Sequence, residues 1–251
     1  MILNCDGLRI QADLDMPEKK ADKMPLVVLI HGFTGNRQER HILAAAKTMN
    51  ECGFAVLRPD MYGHGESDGK FGEHTLYKWL TQALFITDYA RSLPFVSEVY
   101  LCGHSQGGLT VILTAAMKQD QIAGLMPLSP AVMIPEQARA GTLLGTNFDP
   151  CHVPDSLHTW DGLVLNGNYI RVAQTIRVED AVDAYKGPVL IIHGAADDAV
   201  PISFATRTAQ RYANCHMDVI PEDDHCFNRH LDLMTDALKA WLLKVHPAGD
   251  C

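Results

Sequence analysis

The sequence predicts an α/β fold with a mainly parallel central sheet and helices on both faces. Short β-branched apolar runs alternate along the chain with longer stretches of helical periodicity. Several runs, such as residues 26–32 (LVVLIHG) and 189–194 (VLIIHG), are apolar at consecutive positions, as strands covered on both faces must be. The segments between runs have room for one crossover helix each, which makes neighbouring strands parallel.

Taken in order, residues 1–5 and 8–14 flank Asp6-Gly7 and read as an antiparallel hairpin at the sheet edge. Further strands are expected at 26–32, 55–60, 99–105, 124–130, 189–194 and 217–221. Helices are expected at 39–52, 75–92, 107–118, 203–213 and 229–245. In the last of these, Leu231, Met234, Leu238, Trp241 and Val245 recur at helical spacing and form a core-facing stripe. Residues 131–168 break the rhythm. They are dense in Gly, Pro, Asn and His and too long for a plain loop, so a small inserted lid or cap subdomain is expected within one domain spanning 1–251.

At 251 residues, 47% hydrophobic and 20% charged, the chain has the make-up of an ordinary globular protein with a full core. A net charge of -9 without any basic block excludes a nucleic-acid binder, because nothing would neutralise phosphates. The longest apolar runs are far too short to span a bilayer, so no membrane association is expected. The first residues show no basic segment followed by an apolar core, so no secretory signal is expected. The seven cysteines are an odd number with no C-x-x-C spacing, which argues against a zinc site and for a reducing, cytoplasmic setting.

The chemistry centres on Gly103-His104-Ser105-Gln106-Gly107. Ordinary Gly and Ser usage supplies G-x-S-x-G by chance in about one chain in ten of this length, so context has to decide. Here the motif follows a strand and opens a helix, the setting in which small flanking residues let a serine sit on a sharp turn. A serine hydroxyl needs a general base. His225 lies just past the last strand, where catalytic groups of an α/β sheet gather. His31 and His193 precede glycines inside apolar runs and read as loop-shaping, and the His104 side chain is expected to diverge from Ser105. A carboxylate must hold the base in the right tautomer, and the preceding strand end, HGAADDAVP, offers Asp197 or Asp198. Oxyanion donors are expected from the backbone N–H of Gln106 and from that of Phe33 in HGFTGN.

Over essentially its whole length the chain resembles the α/β-hydrolase superfamily, through HGFTGN, RPDMYGHGESDG, GHSQGG, HGAADDAVP and DDH. Within it, the sequence is similar to bacterial feruloyl (cinnamoyl) esterases, which carry an insertion after the sixth strand. The resemblance to a G-x-x-D-x-x-V-P acid loop selects Asp197 as the acid, and the order Ser, Asp, His is the one this superfamily uses. It implies a serine esterase that cleaves feruloyl, p-coumaroyl or caffeoyl esters of sugars or small alcohols through an acyl-enzyme. It also implies a small-molecule ester as partner, with no metal and no organic cofactor. Trp160, Tyr169, Phe148 and His152, in or beside the insertion, are the candidate acyl-pocket residues, because a flat phenyl ring needs apolar walls and a few polar groups. The alternatives are an acylglycerol lipase, a general short-chain carboxylesterase, a serine peptidase, or a non-catalytic binding module. The last has no use for a base and an acid at those strand ends.

Overall fold

The computed structural model describes residues 1–19, 21–159 and 162–247. The chain opens with β1 (Ile2–Cys5) and β2 (Leu8–Asp15), an antiparallel hairpin turning at Asp6-Gly7. There follow β3 (Met24–Ile30), α1 (Arg40–Glu51), β4 (Ala55–Pro59), α2 (Leu76–Ser92), β5 (Val96–His104), α3 (Gln106–Met117) and β6 (Gly124–Leu128). After β6 come three short helices and four short strands. These are α4 (Ile134–Ala140), the ribbons β7 (Thr142–Leu143), β8 (Thr146–Asn147), β9 (Ser156–His158) and β10 (Val164–Asn166), then α5 (Asn168–Thr175) and α6 (Val178–Ala184). The chain ends in β11 (Val189–Gly194), α7 (Ile202–Arg211), β12 (Cys215–Ile220) and α8 (Leu231–Val245).

One eight-stranded sheet runs in the order β1-β2-β4-β3-β5-β6-β11-β12. Only the hairpin is antiparallel to its neighbours; β4 through β12 pair in parallel. The consecutive apolar runs follow directly from this layering. Along β3, Leu26, Val28 and Ile30 enter the core beneath α2 and α3, whereas Val27 and Leu29 point to the opposite face under α1 and α8. With both faces covered, every residue of β3, β4, β6 and β11 is buried. The stripe on α8 packs as its spacing requires, with Met234, Leu238 and Trp241 buried and Leu231 and Val245 at its margins. Among the described residues no helix is long and apolar enough to cross a membrane.

Among the described residues, the segment 131–168 contains one short helix and two small antiparallel ribbons, whose Leu143, Leu157 and Leu165 are buried in the main hydrophobic core. Helices α4, α5 and α6 had no counterpart in the sequence reading. Each spans seven or eight residues, about two turns, too short for an apolar stripe to stand out.

Candidate active site

Ser105 sits between β5 and α3 at φ 55° and ψ −117°, a backbone conformation that side chains rarely adopt. Strain of this kind costs on the order of 1–3 kcal/mol and persists only where neighbours hold it. Here the Ser105 N–H donates to the Leu128 carbonyl at 2.9 Å, and its own carbonyl accepts from Leu109 (3.1 Å) and Ala131 (2.9 Å). The flanking glycines are sterically required. A Cβ on Gly107 would lie 2.3 Å from the His31 carbonyl oxygen, and one on Gly103 2.4 Å from that of Gly107. Strand and helix could not meet this closely with any side chain at either position.

His225 lies in the loop between β12 and α8, and its Nδ1 is 2.7 Å from Asp197 Oδ2. A carboxylate only accepts, so Nδ1 carries the proton and Nε2 is left as the basic atom. The Asp197 side chain is fully buried in the turn after β11. Its Oδ1 accepts the N–H groups of Ala199 (3.0 Å) and Val200 (2.8 Å), and Oδ2 also stands 3.2 Å from His193 Nε2. Burial alone would raise this pKa, but the bonds from His193, His225 and Val200 outweigh it and hold the carboxyl well below the usual carboxylate range. Asp198, the other candidate from sequence, is exposed. Of the two, Asp197 is the one that reaches His225.

Two further histidines join this group. His193, expected to shape a loop or satisfy a local hydrogen bond, does bond the Val200 carbonyl (2.9 Å), and the same Nε2 also stands 3.2 Å from Asp197. His104, expected to diverge from Ser105, lies 4.7 Å from the His225 ring, and its Nε2 is 2.8 Å from the His225 carbonyl oxygen. Nothing local in the sequence marks either contact, because both depend on the register in which β5, β11 and the final loop meet.

The loop after β3 closes over Ser105. A Cβ on Gly32 would stand 3.2 Å from that of Ser105, which brings the Gly32-Phe33 segment against the serine. Gln106 is the first residue of α3, where backbone N–H groups have no helical acceptor and the helix dipole favours negative charge. Phe33 is held by its ring, which packs on Phe71 (5.3 Å) and His74 (5.4 Å), and by its carbonyl oxygen, which meets His64 Nε2. Further along the same loop, buried Asp60 accepts the Arg37 N–H at 2.8 Å and the Glu66 N–H at 2.9 Å, pinning the 31–37 segment to the loop after β4.

The candidate acyl-pocket residues separate. Tyr169 is fully buried, and its hydroxyl donates to Gln106 Oε1 at 2.7 Å. Phe148 is half-buried, packed against the core from the insertion. His152 is 85% exposed and paired with Asp149 at 2.7 Å, on the outer surface of the insertion rather than among the buried groups around Ser105. Trp160 lies outside the described residues.

The surroundings are unusually rich in buried, neutral histidine. Burial, reinforced by neighbouring histidines, pushes His31 and His74 down to about 3; burial, with His225 nearby, pushes His41 to about 4. An unfolded histidine titrates near 6.5, so below that pH the unfolded chain binds protons that the folded one refuses. Stability is therefore full above pH 6.5 and lost progressively as pH falls toward 3–4. Melting temperature followed by circular dichroism should be flat from pH 7 to 9 and drop steeply from pH 6 to 4. A flat profile down to pH 4 would show that these rings accept protons without penalty.

An eight-stranded sheet, a strained serine between strand and helix, and a histidine–carboxylate pair on the next strand ends define a hydrolase of the α/β class. The chain belongs to the α/β-hydrolase superfamily of esterases and related hydrolases, in the family described as serine aminopeptidase, S33, whose model matches residues 21–157. It is similar to Est1E from Butyrivibrio proteoclasticus, a structure with ferulic acid bound, at 56% identity and a TM-score of 0.96, over 97% of this chain and 98% of that one. It is more distantly similar to the mitochondrial palmitoyl-protein thioesterase ABHD10 of Bos taurus, 26% identical over 84% of this chain and 70% of that protein. A thermostable monoacylglycerol lipase of Bacillus sp. (strain H-257) is 31% identical over 46% of this chain and 44% of its own length.

Proposed function

We propose that the protein is a serine carboxylesterase that cleaves hydroxycinnamate esters, with Ser105 as nucleophile, His225 as base and Asp197 as acid. The observation that carries the chemistry is the 2.7 Å contact between His225 Nδ1 and the buried Asp197 side chain, past the ends of β12 and β11 in the same sheet as strained Ser105. In the first step His225 Nε2 takes the hydroxyl proton as Ser105 Oγ bonds to the ester carbonyl carbon. The carbonyl oxygen becomes an oxyanion, held by the N–H groups of Phe33 and Gln106. The intermediate collapses, the alkoxy C–O bond breaks, and His225 returns the proton to the departing alcohol. Water then repeats the sequence on the acyl-enzyme, with His225 first taking its proton and then returning one to Ser105 Oγ, which releases the free acid.

The hydroxycinnamoyl assignment draws its support from the likeness to Est1E with ferulic acid bound. The insertion at 131–168 is the segment we assign to the acyl side of the pocket, with half-buried Phe148 facing the core from it. The panel that tests the reading compares kcat/KM for methyl ferulate, p-nitrophenyl butyrate, a monoacylglycerol and an aminoacyl anilide. Methyl ferulate should lead by at least tenfold, about 1.4 kcal/mol of transition-state preference. A lead for the monoacylglycerol would instead favour the acylglycerol lipase reading, which the similarity to the Bacillus lipase makes the chief competitor. A lead for the anilide would favour a peptidase.

A further inference from the structure

The oxyanion donors assigned above rest on one buried cluster, and the cluster reaches α5. Gln106 is fully buried, and its side chain is gripped rather than free. The Tyr169 hydroxyl donates to Gln106 Oε1 at 2.7 Å, and Tyr169 stands on α5, where the chain leaves the insertion. His74 packs against the Phe33 and Tyr169 rings beside it. Its Nδ1 is 2.6 Å from the Phe71 carbonyl oxygen, so Nδ1 carries the proton and Nε2 is an acceptor. That Nε2 and the Gln106 amide nitrogen are both buried without a hydrogen-bond partner. The Tyr169 O–H donates to the Gln106 side-chain carbonyl, and the His74 Nδ1–H donates to the Phe71 carbonyl. The Phe33 ring touches the same groups, 5.4 Å from His74 and 6.1 Å from Tyr169.

We propose that Tyr169 is a positioning residue of the oxyanion hole, and that through its hydroxyl the chain following β10 sets the aim of the Gln106 N–H. The proposal rests on the reading of Gln106 as an oxyanion donor. A main-chain N–H at the first residue of a helix has no helical bond to orient it, so the clamp on its side chain supplies the orientation. Misplacement of such a group by about 1 Å is enough to cost up to 10²-fold in rate. This role differs from direct contact with the acyl group, the one the sequence suggested for Tyr169.

Three esters separate the two roles: methyl ferulate, methyl cinnamate, whose ring bears no hydroxyl, and p-nitrophenyl acetate, which has no ring on its acyl side. Tyr169→Phe should lower kcat by about tenfold on all three with KM within about twofold, and slow fluorophosphonate labelling of Ser105 by a similar factor. Gln106→Met keeps the main-chain N–H but removes the acceptor of the Tyr169 hydroxyl, and should reproduce that loss. The double variant should lose little more than either single one, because both break the same hydrogen bond. A loss confined to methyl ferulate would overturn the proposal in favour of a contact with the acyl ring. Unchanged kcat on all three, with only a lower melting temperature, would reduce the clamp to a packing feature. Because p-nitrophenyl acetate is in the set, the result stands whether or not hydroxycinnamates prove to be the preferred substrates.

Discussion

Replacing Ser105 with alanine should abolish ester hydrolysis and leave the protein folded. No other hydroxyl shares the turn, and without the nucleophile His225 and Asp197 have no proton to move. Loss of a serine that acts as one unit with its base lowers kcat by about 10⁶-fold, and what remains comes from binding and the oxyanion donors. The measurement is kcat/KM with p-nitrophenyl acetate beside a thermal melt. Alanine keeps a Cβ at φ 55°, so the strain of the turn stays in place. Ser105→Gly removes it, and its melting temperature should exceed that of the alanine variant by about 2–4 °C, as expected for roughly 1 kcal/mol in a chain of this size. Activity surviving in Ser105→Ala would remove the serine mechanism altogether.

Asp197→Asn should lower kcat by about 10⁴-fold while the protein still binds substrate. The aspartate accepts at both oxygens, from two backbone N–H groups on one and from His225 and His193 on the other. An asparagine must turn its amide N–H₂ toward one of those donors. If it faces His225, the imidazole places its proton on Nε2, where it cannot serve as a base, and the imidazolium loses its counter-charge. If it faces the turn, the Ala199 and Val200 N–H groups lose their acceptor and stability falls instead. Either way the imidazolium loses its counter-charge. Asp198→Asn, on an exposed neighbour, should keep kcat within about twofold, since surface substitutions rarely disturb more than about 0.5 kcal/mol. The comparison of the two variants is decisive: a loss that follows Asp198 would reassign the acid.

Much of this arrangement was legible before any coordinates. The runs LVVLI and VLII read as two-sided strands because consecutive apolar residues in a strand must face opposite ways, and in the sheet they do. The stripe on α8 was visible because fifteen residues give helical periodicity enough turns to show. The same logic explains what stayed hidden. Helices α4 to α6 and the four short strands of the insertion are too brief for either period to rise above its neighbours. The Asp149 partner of the exposed His152 ring was not read from the sequence either.

The residue types of the site, their order along the chain and their places at strand ends followed from local rules: a glycine-flanked serine, a histidine before the last helix, carboxylates after the preceding strand. Which atoms meet was decided only when the strands paired. Parallel register set the end of β11 beside that of β12, which turned Asp197 rather than Asp198 toward His225 and added His193 to the same carboxylate. The packing of β5 against its neighbours placed His104 on the His225 carbonyl, and the path of α5 put the Tyr169 hydroxyl on Gln106. Such contacts join residues far apart in the chain, so no short-range pattern encodes them. They are properties of the closed sheet and of the layers that bury it.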